Sequence, residues 1–230
     1  MNNFSNHPDG GPSGVSVRLS RVHYPVTALG PGTRAGVWFQ GCTLGCPGCV
    51  SRDTWDPAAG TQTTVDDILN WITATVDKNT AGITISGGEP SEQPNALTAL
   101  IVGLTDLRVH LDADWDVLCY TGLESDEFLK QVPAAHDSID ALIIGRFHIS
   151  EPTTLIWRGS ANQRIVPLSV RGADRYAEFM DQSTDSPPIQ FSVQGGQVWL
   201  VGIPRRSDLN HLQRHLRKAG IELEDVSWRP

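Results

Sequence analysis

The run Gly41-Cys42-Thr43-Leu44-Gly45-Cys46-Pro47-Gly48-Cys49 places three of the chain's four cysteines within eight residues. A C-x3-C-x2-C array can bring three thiolates onto one inorganic centre while supplying only three ligands. Structural zinc closes with four ligands, whereas a cubane iron-sulfur cluster held by three cysteines keeps one iron free for a small molecule. The nearest histidine upstream is His23 and none follows until His110, so no fourth ligand stands close by. The spacing therefore favours a reactive cluster over zinc. It also sets the fold, because the apolar run Gly36-Val37-Trp38-Phe39-Gln40 reads as a strand that delivers the cysteine loop at its carboxyl end.

Working outward, the pattern alternates. A strand is expected near Val15 to Val22 and another over Ala35 to Phe39. Thr63 or Thr64 can cap a helix whose Val65, Ile68, Leu69, Ile72 and Val76 recur at helical spacing. Gly82-Ile83-Thr84-Ile85 is a buried-strand pattern running into Ser86-Gly87-Gly88-Glu89-Pro90. A helix over Gln93 to Leu107, a strand over Asp116 to Tyr120, a helix over Ser125 to Gln131 and strands over Asp140 to Ile144 and Ile165 to Leu168 complete the rhythm. Strand, helix, strand predicts parallel strands with right-handed crossovers. The chain is short for eight units, so the fold class expected is α/β, an open partial (β/α) barrel with the chemical motifs on loops at one rim. Cys119, inside an apolar run, reads as a small buried side chain.

Gly30-Pro31-Gly32-Thr33-Arg34, the short apolar strand, Gly41-Cys42 and the closing Cys46-Pro47-Gly48-Cys49 together resemble the radical S-adenosylmethionine superfamily. Within it they are similar to the activating proteins of anaerobic ribonucleotide reductase and of pyruvate formate-lyase, the first more closely. Gly48 stands where many members carry an aromatic residue. Ser86 to Pro90 resembles the superfamily's Gly-Gly-Glu-Pro loop. The resemblance implies a [4Fe-4S] cluster on Cys42, Cys46 and Cys49, and S-adenosyl-L-methionine contacted by Gly87, Gly88, Glu89 and Pro90. It implies reductive cleavage of that cofactor to a 5′-deoxyadenosyl radical, an oxidoreductase that needs no acid-base pair. It further implies an electron donor such as flavodoxin or ferredoxin and a large glycyl-radical protein as partner. Read on its own, Gly87-Gly88-Glu89-Pro90 is either a ligand loop or an ordinary strand-to-helix turn, and its place after the cysteine pattern favours the ligand loop.

Two further segments share in the likeness. Tyr120-Thr121-Gly122 resembles a strand end at the family's cofactor site, where Thr121 would reach a ribose hydroxyl or the methionine carboxylate; a turn hydroxyl accounts for it equally well. Arg158-Gly159-Ser160-Ala161-Asn162-Gln163-Arg164 resembles a segment of the reductase activators, with Ile144 replacing the aspartate expected in the preceding loop Ile144-Gly145-Arg146-Phe147. Arg158, Asn162 and Arg164 are candidates for contact with a substrate or partner, against the plain reading of a polar turn.

A chain of 230 residues with a net charge of −8 fits one domain with an appendage and lacks the basic footprint of a nucleic-acid binder. Residues 1–14 are polar and expected to be disordered, with no signal peptide or membrane span, so a cytoplasmic setting with reduced thiols is expected. The radical S-adenosylmethionine domain is expected over 15–186 and a small α+β extension over 187–230, after Pro187-Pro188. There, Ile189 to Val193 and Val198 to Val201 flank Gln194-Gly195-Gly196-Gln197 as a hairpin, and a helix runs from Ser207 to Ala219. The extension is either a structural cap or a docking element. Beside an activating enzyme, two other functions fit the motifs: modification of a small molecule or peptide, and a non-catalytic iron-sulfur module for electron transfer or assembly.

Overall fold

The computed structural model describes residues 14–194, 197–222 and 226–227. The tail expected to be disordered over 1–14 lies outside them, Gly14 excepted, as does the tip of the hairpin turn. In chain order the elements are β1 (Ser16–Val26), β2 (Thr33–Phe39), β3 (Thr61–Thr64), α1 (Val65–Thr75), β4 (Thr80–Gly87), α2 (Pro94–His110), β5 (Asp116–Tyr120), α3 (Ser125–Gln131), the single turn α4 (Ala135–Ser138) and β6 (Ala141–Ile144). Then follow β7 (Arg164–Pro167), α5 (Val170–Tyr176), β8 (Ile189–Gln194), β9 (Gln197–Gly202) and α6 (Arg206–Lys218).

Seven strands form one mixed sheet in the order β3-β1-β2-β4-β5-β6-β7. The expected parallel rhythm holds for β2, β4, β5 and β6, with Val37 opposite Ile85 and Ile85 opposite Cys119. It does not extend to the flanks. β1 runs antiparallel to both β2 and β3, and β7 antiparallel to β6. The short connection from β1 to β2 and the long one over residues 145–163 from β6 to β7 both lack a crossover helix, and the neighbouring strand returns antiparallel. Among the described residues β3 and β7 are the two edges.

One face of the sheet is covered by helices. Ala35, Val37, Phe39, Ile83, Ile85, Val117, Cys119 and Leu142 meet Ile68 and Ile72 of α1 and Leu97, Leu100, Ile101 and Leu104 of α2. Each fully buried side chain of this size contributes about 1.5–3 kcal/mol. Thr64 fixes the start of α1: its hydroxyl accepts from the Asp67 amide at 3.2 Å, and the Asp67 carboxylate accepts from the Thr64 amide at 3.2 Å, a reciprocal cap.

The other face carries a different cast. Leu118, Ala141 and Ile143 pack with Trp157, Ile165 and Tyr176. Near the amino ends of the strands Arg34 is wholly buried, donating to Asp116 Oδ1 at 2.6 Å, to Thr84 Oγ1 at 2.6 Å and to the Ile83 carbonyl at 3.0 Å. Arg175 Nη1 and the Tyr176 hydroxyl donate to the same carboxylate at 3.1 and 2.7 Å. Gly82 leaves room for the guanidinium, since a Cβ there would lie 2.3 Å from it. Toward β1 and β2, Val26, Ala28, Leu29 and Trp38 pack with Val201 of β9, and the Gln190 side chain donates to the Pro25 carbonyl at 2.6 Å and accepts from the Thr27 amide at 3.1 Å. No described helix is long and apolar enough to cross a membrane.

Candidate functional site

β2 and β4 are neighbours and parallel, so the loops that follow them open at the same rim. The two loops are stitched together by backbone: the Gly88 amide donates to the Phe39 carbonyl at 2.9 Å and the Glu89 amide to the Gly41 carbonyl at 2.8 Å. This contact dictates both glycines. A Cβ on Gly87, whose φ is +114°, would lie 2.3 Å from the Phe39 oxygen, and one on Gly88 would lie 2.1 Å from the Gly41 oxygen. The start of the cysteine loop is fixed from its far side as well, by the Gly41 amide on the Thr54 carbonyl at 2.8 Å and the Cys42 amide on the Trp55 carbonyl at 3.0 Å.

Cys42, Cys46 and Cys49 are all free thiols, Cys46 buried and the other two half-buried. Burial pushes the Cys42 thiol up to about 11, with the Glu92 and Glu89 carboxylates adding to the effect against hydrogen bonds from the Leu44 and Gly45 backbone. Burial pushes Cys49 up too. Among the described residues no three His, Cys, Asp or Glu side chains converge as a single metal ion requires. A lone zinc draws its thiolates to about 2.3 Å of one point, while a cubane spreads them over separate irons. Three free thiols on one short loop fit a cluster, whose cysteine ligands sit on separate irons.

Glu89 is buried and its carboxylate is densely satisfied. Oε1 accepts from the Ser91 hydroxyl at 2.8 Å, the Ser91 amide at 3.1 Å and the Thr121 hydroxyl at 2.9 Å, and Oε2 accepts from the Gly122 amide at 2.7 Å. Burial raises its pKa, and these four bonds pull the other way. Glu89 and Thr121, taken singly in the sequence, are therefore one unit joining the loops after β4 and β5. Pro90 begins the following single turn, Pro90–Glu92.

Arg158, Asn162 and Arg164 are not brought together on one ligand. Arg158 is buried and donates to the carbonyls of Met180 at 2.7 Å, Phe179 at 2.9 Å and Ile156 at 3.2 Å. Asn162 donates to the Arg146 carbonyl at 2.8 Å, and Arg164 reaches out to Glu124 at 2.7 Å on the surface. Cys119 is fully buried on the helix side of β5. Sequence reasoning missed Glu92 and Arg146, which hold the cysteine loop across 49 and 102 residues respectively. No local pattern announces bonds of that separation.

The sequence profile of the 4Fe-4S single cluster domain family matches residues 28–166. An anaerobic ribonucleoside-triphosphate reductase-activating protein of Escherichia coli K12 is 35% identical over 147 residues, which span 61% of this chain and 93% of the relative. Its counterpart in Haemophilus influenzae is 37% identical over 151 residues, 62% of this chain and 94% of the relative. That of Vibrio cholerae is 34% identical over 149 residues, with the same coverage of 62% and 94%. Among solved structures QueE from Escherichia coli aligns with 46% of this chain and 53% of its own at a TM-score of 0.35 and 17% identity, a likeness too slight to argue from. With the profile covering well over half its length and these relatives matched nearly end to end, the chain belongs to the 4Fe-4S single cluster domain family, in the group of the anaerobic ribonucleoside-triphosphate reductase-activating proteins.

Proposed function

We propose that this chain activates an anaerobic ribonucleotide reductase by radical chemistry, with Cys42, Cys46 and Cys49 holding a [4Fe-4S] cluster and the Gly87–Pro90 loop seating S-adenosyl-L-methionine beside it. The observation that carries this reading is the backbone stitching of the cysteine loop to Gly88 and Glu89, which sets a three-thiol loop and the Gly87–Pro90 loop edge to edge. A cluster held by Cys42, Cys46 and Cys49 would supply the single electron for reductive cleavage of S-adenosylmethionine, the chemistry by which a glycine Cα–H of the partner would lose its hydrogen atom. The protein's own task is orientation and exclusion of other hydrogen donors rather than proton transfer.

Glu89 Oε2 accepts one bond and has capacity for another, which suits the ammonium of a methionine moiety. Thr121 is the hinge between that carboxylate and the loop after β5. The electron comes from a small donor protein such as flavodoxin or ferredoxin, in a reducing cytoplasm. The sheet, open at β3 and β7, is the interior of a partial barrel in this reading, with residues 15–186 as the catalytic domain and 187–230 as an extension against it.

The test is anaerobic reconstitution with iron and sulfide, reduction, and addition of S-adenosylmethionine, with 5′-deoxyadenosine measured as product. Cleavage in the loaded, reduced protein is expected. A fully loaded and reduced cluster that yields no 5′-deoxyadenosine would sink the proposal.

A further inference from the structure

The connector Thr43-Leu44-Gly45 between the first two cysteines is gripped from the loops that follow three different parallel strands. From the turn after β4, Glu92 Oε1 accepts both the Thr43 amide and the Thr43 hydroxyl, each at 2.6 Å. After β5, Gly122 gives way to the Leu44 side chain, which a Cβ at that position would meet at 2.3 Å. After β6, Arg146 donates to the Leu44 carbonyl, and the carbonyl of Arg146 is itself held by Asn162 at 2.8 Å. Glu92 and Arg146 are both exposed side chains. Holding such long flexible groups in one geometry has an entropic cost, so paired bonds to one three-residue connector need a reason beyond solvation.

We infer that Glu92 and Arg146 are positioning residues that preset the cysteine loop, fixing the separation of Cys42 and Cys46 before any iron arrives. This rests on the reading that those cysteines hold the cluster. Two features single out Glu92. The bonds it accepts are charge-assisted and short, and they fall on the residue immediately after Cys42. It also ends the turn Pro90–Glu92 that Glu89 caps, the Glu89 side chain bonds Thr121 and Gly122, and the Glu92 amide donates to the Glu89 carbonyl at 3.0 Å. One turn of backbone thus grips the cluster loop with one carboxylate and the cofactor loop with another. Asn162, expected from the sequence to be a contact for substrate or partner, becomes the support of Arg146.

The variants Glu92→Ala, Glu92→Gln, Thr43→Val and Arg146→Met are compared with the full natural chain, with Cys46→Ala alongside. The first readout is hydrogen exchange of the 43–45 amides in the metal-free protein. The second is the rate of iron loss to a ferrous chelator after anaerobic reconstitution. The third is the electron paramagnetic resonance line shape of the reduced cluster. Loss of a charge-assisted pair should raise exchange and iron loss roughly tenfold in Glu92→Ala, and several-fold in Arg146→Met. Glu92→Gln keeps one oxygen for Thr43 and should remain within about threefold of the natural chain. Should Glu92→Ala fail to fold, Thr43→Val removes only the hydroxyl donor and carries the same test. Unchanged exchange and iron loss in these variants, while Cys46→Ala loses its iron, would overturn the presetting role and leave the ligand assignment intact. Iron retained by Cys46→Ala would instead overturn the ligand assignment. A Glu92→Gln protein as defective as Glu92→Ala, although its remaining oxygen can still accept from Thr43, would refute positioning by these bonds.

Discussion

At the scale of single residues, four cysteines divide by surroundings rather than by chemistry. Cys42, Cys46 and Cys49 sit on one loop at the rim, and Cys119 is sealed under the helices. Replacing any one of the first three by alanine is expected to remove most bound iron and all cleavage of S-adenosylmethionine, because two thiolates rarely retain a cubane; Cys119→Ala should keep both. Iron per chain and 5′-deoxyadenosine per chain decide the matter. Glu89 is a different case. Its carboxylate collects four hydrogen bonds from the loops after β4 and β5, so Glu89→Ala should leave the cluster spectrum nearly intact while weakening cofactor binding by roughly tenfold or more, the worth of a hydrogen bond to a charged group. Spectroscopic titration of the anaerobic protein reads this directly, and an unchanged affinity in a folded variant would return Ser86 to Pro90 to the status of a plain turn.

At the scale of elements, legibility followed the strength of the local pattern. β5 and α3 lie at the residues expected, and α1 begins at the cap expected, because apolar periodicity and a threonine before an acidic first turn are local signals. β3 was missed because Thr61-Gln62-Thr63-Thr64 has no apolar alternation; it is a strand by virtue of pairing with Ser16 to Leu19. α5 was missed for a related reason. Gly172 reads as a breaker, yet a Cβ there would lie 1.8 Å from the Asp140 carbonyl, so the glycine serves a close helix-to-strand contact that no neighbour in sequence reveals. The place of the cysteine loop at the carboxyl end of β2 was legible, and its grip by Glu92 and Arg146 was not.

The hairpin belongs to this scale too. Val201 is buried among Val26, Ala28, Leu29 and Trp38, while Val193 on the opposite face is 71% exposed. Val201→Asp would bury a carboxylate without a partner and is expected to cut soluble yield and lower the melting temperature sharply, whereas Val193→Asp should change stability by less than about 0.5 kcal/mol. A chain stopped at Pro187 should behave like Val201→Asp, insoluble or unable to hold iron. A soluble, iron-loaded truncation would mean that residues 189–230 add to the domain without closing it.

At the scale of the whole molecule, the ion pair of Arg34 and Asp116 ties β2 to β5 across β4. Burial by itself would push the Asp116 carboxyl up, but the Arg34 charge and the hydrogen bonds from Arg34, Tyr176 and Arg175 hold it below the usual carboxylate value. A depressed folded value adds stability above the unfolded value of about 3.9 and loses it as pH falls from there to the folded value. Asp116→Asn, which strands a buried guanidinium, is expected to cost about 3–5 kcal/mol near neutral pH. Urea denaturation should show that gap constant between about pH 8 and pH 5 and narrowing below about pH 4. A gap that widens on acidification would contradict the assignment.

Arg34 and Asp116 also stand at the amino ends of their strands, opposite the rim that carries the cysteine loop. With Arg175 and Tyr176 of α5 they make a bolted floor at that end of the sheet. The loops after β2, β4, β5 and β6 lie at the other end of the same strands, so substitutions that retune those turns belong at the lip, where they leave this ion-paired foundation untouched.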